Sequence, residues 1–290
     1  MLTGAGVLAH AGQPPAPHDL WRAWNLDLLV LTGLGCAAWA YRRGRALGPT
    51  RGDQIWRARC FAGALAALAV ALISPLDALS TALASAHMVQ HVLVVLVSAP
   101  LLALSAPSAT LLHGSPLVVR RTVPRWRRKL RLTHANLRLL RDPVTVWLLH
   151  VAALWFWHAS GPYDAALDSE PLHILEHTTF LVTAVLFWQV AVGARAAGRV
   201  TNGYGALLVF AMALQSTFLS ALLTFARAPW YTSYATTTEP WHLDPLADQQ
   251  LAGVIMWIPA GLVYFGASLA LIITWLQATD LEPTPHQPAS

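Results

Sequence analysis

His87-Met88-Val89-Gln90-His91 heads an apolar run that continues to Ala106. On a helix, residues four apart stand one turn above each other on the same face, so His87 and His91 can aim two imidazoles at one ion. The arrangement recurs once, at His173-Ile174-Leu175-Glu176-His177, again at the head of an apolar run. The fold expected for the rest of the chain has to account for both clips.

The chain is 56% hydrophobic and 11% charged, against about 25% charged in soluble domains. Its near-uncharged runs approach or exceed the roughly 18–20 residues that span a bilayer. The expected fold is therefore all-α, a polytopic membrane helix bundle. Seven transmembrane helices are expected, at 24–41, 60–76, 83–106, 143–158, 172–192, 204–225 and 250–276. Tryptophan and tyrosine near many of the ends fit an aromatic belt.

Basic residues set the expected orientation. Six arginines separate spans one and two, nine basic residues separate three and four, and Arg195 and Arg199 separate five and six. Of the 19 basic residues, that leaves Arg22 and Arg227 for the other side. The positive-inside rule then gives N-terminus out and C-terminus in. In the long inner segment, Trp126, Leu130, Leu137 and Leu140 recur at helical spacing among arginines. That pattern predicts a basic interfacial helix near 125–140, lying on the bilayer or docking a cytoplasmic partner.

Residues 21–278 form the expected membrane domain. Residues 1–20 read as an N-terminal tail or a remnant signal segment, with Ala9-His10-Ala11 as the small-residue pattern. Residues 279–290 are Pro-rich and polar and read as a disordered tail. The net charge of +5 sits in loops, where topology explains it, and no nucleic-acid partner is implied. Cys36 and Cys60 are too few for a disulfide framework. The chain has no CxxC, no Walker or Rossmann glycine pattern, no GxSxG and no HExxH. No catalytic residue is assigned and a non-enzymatic role is expected.

This topology places five histidines from three spans in one layer near the outer face: His87 and His91, His158, and His173 and His177. Ionisable groups inside a membrane are costly and mark sites. Neutral imidazole suits copper, zinc and iron. Glu176 can ligate directly or hold a ring nitrogen. Met256, two turns into the last span, would favour copper, whereas Met88 is expected to face away from the clip. Asp248 reads first as an N-terminal cap and second as a metal partner or proton carrier. Asp27 is a similar capping residue. His150 reads as a core histidine, with a haem ligand as the alternative. The candidate metal residues are thus His87, His91, His158, His173, His177, Glu176, Asp248 and Met256.

Four ordered stretches carry a family resemblance. They are His87–His91 followed by Ser-Ala-Pro-Leu-Leu-Ala-Leu; Phe156-Trp157-His158 with Tyr163-Asp164-Ala165-Ala166-Leu167; His173–His177 with Phe180 and Leu186-Phe187-Trp188; and Pro245-Leu246-Ala247-Asp248-Gln249-Gln250 with Met256-Trp257. Over residues 20–276 the chain resembles the CtaG family of cytochrome c oxidase assembly proteins, the polytopic membrane type. One departure is visible at His158-Ala159-Ser160-Gly161-Pro162, where the family pattern has a proline sooner after the Trp-His pair.

The resemblance implies a multi-pass protein of the bacterial plasma (inner) membrane, needed to form active haem-copper oxidase. Its expected partners are an oxidase subunit and the lipid bilayer, and its expected metal is copper at the copper-centre step. Two alternatives use the same histidines: a membrane haem or redox protein, and a metal transporter with Gln215, Ser216 and Thr217 on an inward path.

Overall fold

A computed structural model describes residues 15–48, 52–129, 139, 142–197 and 202–279. No strand occurs among them, and the chain is all-helical. Eleven α-helices are described: α1 (Leu28–Leu47), α2 (Gln54–Leu72), α3 (Pro75–Ser80), α4 (Ala84–Ser105), α5 (Ser108–Gly114), α6 (Leu117–Lys129), α7 (Pro143–His158), α8 (Ser160–Asp168), α9 (Glu170–Ala197), α10 (Asn202–Thr224) and α11 (Pro245–Thr279). Each of the seven expected spans falls on one long helix. Five of these, α2, α4, α9, α10 and α11, are long and apolar enough to cross a membrane. Helix α1 carries Arg42, Arg43 and Arg45 in its last turns, and α7 has 16 residues.

The bundle is apolar on its outside, and a cluster of polar side chains is buried within its largely apolar core. Leu207, Phe210, Leu214 and Phe218 on α10, and Leu262, Phe265 and Leu269 on α11, are all exposed. They recur at i+3 and i+4, so whole helix faces present hydrocarbon outward, as they would to lipid rather than to water. His87, Gln90, His91, His150, His158, Glu176 and Asp248 are buried.

Helix starts follow from local capping. Asp27 accepts a hydrogen bond from the Leu29 N–H and caps α1, as its position predicts. Ser74 caps α3 ahead of Pro75, and Asp142 caps α7 ahead of Pro143. The Asp142 carboxyl is held below its usual value by hydrogen bonds from the Thr145 N–H and hydroxyl. Asp244 caps α11 through the Leu246 and Ala247 N–H groups.

Helix α4 widens into a π-helical segment over Leu93–Ser98. In that wider register the partner of the Val95 carbonyl is residue 100, and Pro100 has no N–H to give. The Trp188 indole N–H donates to the Val95 carbonyl instead, at 3.2 Å. Trp188 thereby ties α9 to α4 just below the histidine layer.

At the other end, Gly44 and Gly114 let α1 and α5 touch backbone to backbone; a Cβ on either would overlap the opposite chain. The basic helix begins earlier than expected, at Leu117. Its Val118, Val123 and Trp126 are exposed beside Arg120, Arg121 and Arg125. Residues 130–138 and 140 of that expectation lie outside the described residues, as do residues 1–14 and 280–290 of the expected tails.

Candidate metal centre

Helix α4 carries His87 and His91 on one face, with their Nε2 atoms 2.9 Å apart. Glu176, from α9, faces both: Oε2 is 3.6 Å from His87 Nε2, and Oε1 is 3.5 Å from His91 Nε2. A metal with bonds of about 2.0–2.1 Å holds tetrahedral ligand atoms roughly 3.3 Å apart. His87, His91 and Glu176 offer donor atoms within 4.8 Å of one another, and so do His173, Glu176 and His177. Glu176 belongs to both groups.

Each half of the centre has an internal reason for its geometry. His177 Nδ1 lies 3.0 Å from the His173 carbonyl oxygen. A carbonyl can only accept, so Nδ1 carries the proton and Nε2 keeps its lone pair. His158 repeats this, with Nδ1 2.7 Å from the Leu154 carbonyl. The Nε2 atoms of His158 and His177 and both Glu176 oxygens are buried without a hydrogen-bond partner. Glu176 is 0% exposed. Burying a carboxyl group with neither oxygen hydrogen-bonded costs several kcal/mol, roughly, unless a cation satisfies it. The donor set therefore fits a metal that accepts nitrogen and oxygen ligands.

A tyrosine roof closes one side of the centre. Tyr163 of α8 lies over His87, ring centroids 5.0 Å apart, and stacks on Tyr231 at 3.7 Å. Tyr231 donates to the His158 carbonyl and Tyr234 to the Ser80 carbonyl. Burial holds all three phenols above their usual range, so they stay neutral donors. Asp164 latches the roof to α8, accepting from the Thr232 N–H and hydroxyl and the Ser233 N–H. His173 alone of the five histidines is half-buried, and it marks the approach.

Of the eight residues singled out from sequence, six meet here: His87, His91, His158, His173, Glu176 and His177. Asp248 stands apart. Its carboxylate caps α4, accepting from the Ala84 and Ser85 N–H groups and the Ser85 hydroxyl, while Asp244 caps its own helix. Met256 lies one layer inward, in a cavity of about 40 Å³ that also touches His91 and His158.

Several partners were not legible from spacing. Met88, expected to face away from the clip, lines that same cavity with Met212 and His150. Only the Tyr163 stretch in the sequence pointed towards the roof. His242 adopts a left-handed turn conformation in the loop before α11. Cys60 is buried and Cys36 exposed, and neither belongs to the group.

A membrane helix bundle with a buried histidine–carboxylate centre at one end is the class these observations define. The family model for the cytochrome c oxidase caa3 assembly factor (Caa3_CtaG) matches residues 36–278, and the chain belongs to that family. Two curated relatives are each 27% identical to it over 269 residues: uncharacterized protein Mb0105 of Mycobacterium bovis and uncharacterized protein MT0111 of Mycobacterium tuberculosis. The match takes in 91% of this chain but 41% of each relative, so the chain spans about two-fifths of their length. No solved structure matches it.

Proposed function

We propose that the protein holds copper as cargo in the His87, His91, His173, Glu176 and His177 centre and delivers it to a nascent haem-copper oxidase subunit. One observation carries the reading: two imidazole nitrogens and both oxygens of a fully buried carboxylate converge with no hydrogen bond to satisfy the carboxylate. Family membership supports the oxidase as recipient. His158 stands at the edge of the centre, with its ring 5.9 Å from that of His91. Asp248 acts by holding the start of α4, and Met256 belongs to the cavity beneath.

The proposed setting is the bacterial plasma membrane, with seven crossings, the N-terminus outside and the basic loops inside. Helix α1 crosses with its terminal arginines reaching the inner headgroups, and α7 crosses as a short central helix. Helix α6 lies on the inner leaflet, basic side to anionic lipid. The metal centre is then near the outer face, under the tyrosine roof.

Copper is favoured over haem because the cavity beside the histidines is about 40 Å³, while pockets for cofactor-sized molecules run to about 300–1,000 Å³. Transport through the bundle is disfavoured because Tyr264, the deepest α11 residue on the cavity, stacks on Trp188 at 5.7 Å and closes the way inward.

The test is metal content by mass spectrometry, beside an absorbance spectrum, on protein purified in detergent. The expected result is bound copper and no haem band. His87→Ala combined with His91→Ala is expected to lose that copper and to lower oxidase activity while the protein still accumulates. Normal oxidase assembly in the double variant would sink the assignment.

A further inference from the structure

One layer below the centre, three of the chain's four methionines meet. Met88 of α4, Met212 of α10 and Met256 of α11 line the 40 Å³ cavity, together with His91, His150 and His158. Methionine is an ordinary filler of irregular gaps. Here the gap remains, and the imidazoles beside it are in an unusual state.

His150 is 0% exposed. Its Nδ1 lies 3.0 Å from the Thr183 hydroxyl oxygen. That hydroxyl donates its only proton to the Thr179 carbonyl at 2.8 Å, so towards His150 it accepts. His150 Nδ1 therefore carries the ring proton and Nε2 carries a lone pair. His150 Nε2 has no hydrogen-bond partner, and neither has His158 Nε2, whose tautomer the Leu154 carbonyl sets in the same way. Residues that carry two buried lone-pair nitrogens and three thioether sulfurs thus line one small space, and no carboxylate is among its lining.

Thiol and thioether sulfur with imidazole selects soft ions. A wall without formal charge disfavours a divalent ion, whose desolvation in an apolar interior goes uncompensated. Thr183 lies six residues beyond His177 on α9, about 9 Å further along the helix. His87, His173, Glu176 and His177 are not among the residues that line the cavity, so it is a different place from the outer centre, and His91 touches both.

We propose that the Met88–Met212–Met256 cavity is a second metal site, taking a soft monovalent cation of the Cu(I) class through thioether sulfur and the Nε2 atoms of His150 and His158. His91 is the shared wall across which an ion passes between the two positions. The inference rests on the function proposed above only for the cell's choice of metal.

The experiment uses the full chain in detergent, loaded with Cu(I) under anaerobic reducing conditions and, in parallel, with Ag(I). Copper per chain and the X-ray absorption of the bound metal are the readouts. The wild type is expected to show sulfur scatterers beside nitrogen. Met212→Leu with Met256→Leu, which conserves volume, is expected to lose most of the sulfur contribution and to weaken the inner ion while keeping nitrogen-bound copper. His87→Ala with His177→Ala is expected to do the reverse. A wild type without sulfur scatterers at saturating Cu(I), or a sulfur contribution unchanged by the leucines, overturns the inner site. Sulfur-bound copper without any nitrogen-bound copper at the outer centre supports the inner site and refutes the outer one.

Discussion

The Asp248 carboxylate accepts the Ala84 N–H at 2.6 Å, across 164 residues of sequence. An acid at the head of one membrane helix therefore caps another, the one that carries His87 and His91. The first N–H groups of α4 have no intrahelical partner and lie away from water, so Asp248 is their substitute for solvent. It also fixes the height of α11 against α4, and with it Met256 against His91.

Asp248→Ala is expected to destabilise the bundle by about 1–3 kcal/mol, because it leaves buried donors unsatisfied. Asp248→Asn retains an acceptor and is expected to cost less. Thermal unfolding in detergent measures both. Lost copper with an unchanged unfolding midpoint would instead make Asp248 a ligand.

Glu176→Gln is expected to act in opposite directions on two measurements. Metal affinity falls more than about tenfold, since the one anionic ligand is gone. The metal-free protein gains stability, by about 1 kcal/mol or more, because a carboxyl without partners is replaced by an amide that can donate to the facing imidazoles. A parallel fall in metal-free stability would mean that Glu176 is already satisfied without metal.

Protons compete with the ion for the imidazole lone pairs. Copper affinity at the outer centre is therefore expected to fall as pH drops from about 7 towards about 3. The sign is set by ligation: the metal requires neutral rings, so acid favours release. Equilibrium competition with a chelator across that range checks the slope. A flat profile would remove histidine from the ligand set.

Asp164→Ala releases the roof without touching a proposed ligand. Thr232 and Ser233 lose their shared acceptor, and Tyr163, Tyr231 and Tyr234 are freed to move. Chelator extraction of copper is expected to quicken severalfold at nearly unchanged equilibrium affinity. Unchanged extraction kinetics would place the exit elsewhere.

Gly44→Ala or Gly114→Ala is expected to push α1 off α5, at a cost of about 1–3 kcal/mol. Neither glycine belongs to the metal centre. Copper stoichiometry should persist in whatever protein remains folded, as measured on the purified monodisperse fraction.

The chain's apolar runs were enough to place the long helices among the described residues, because a backbone removed from water is satisfied locally as a helix. The apolar run expected at 143–158 matches α7, whose start the structure shows capped by Asp142 ahead of Pro143. Spacing alone also put His87 with His91 and His173 with His177, as i and i+4 on one helix face. The family resemblance rested on these same local patterns, and the match over residues 36–278 agrees with it.

Relations between helices were decided only in three dimensions. Asp248 reads locally as a cap, but which helix it caps depends on how α11 packs on α4. Met88 reads as facing away from its neighbouring histidine, and the packing of α10 and α11 brings it into a shared cavity with Met212 and Met256. Trp188 stood in the family pattern with no partner assigned, and only the fold shows it donating to the Val95 carbonyl that Pro100 leaves without an N–H. Periodicity reports which face of a helix is buried. What that face meets is set by tertiary packing, and there two clips became one centre around Glu176.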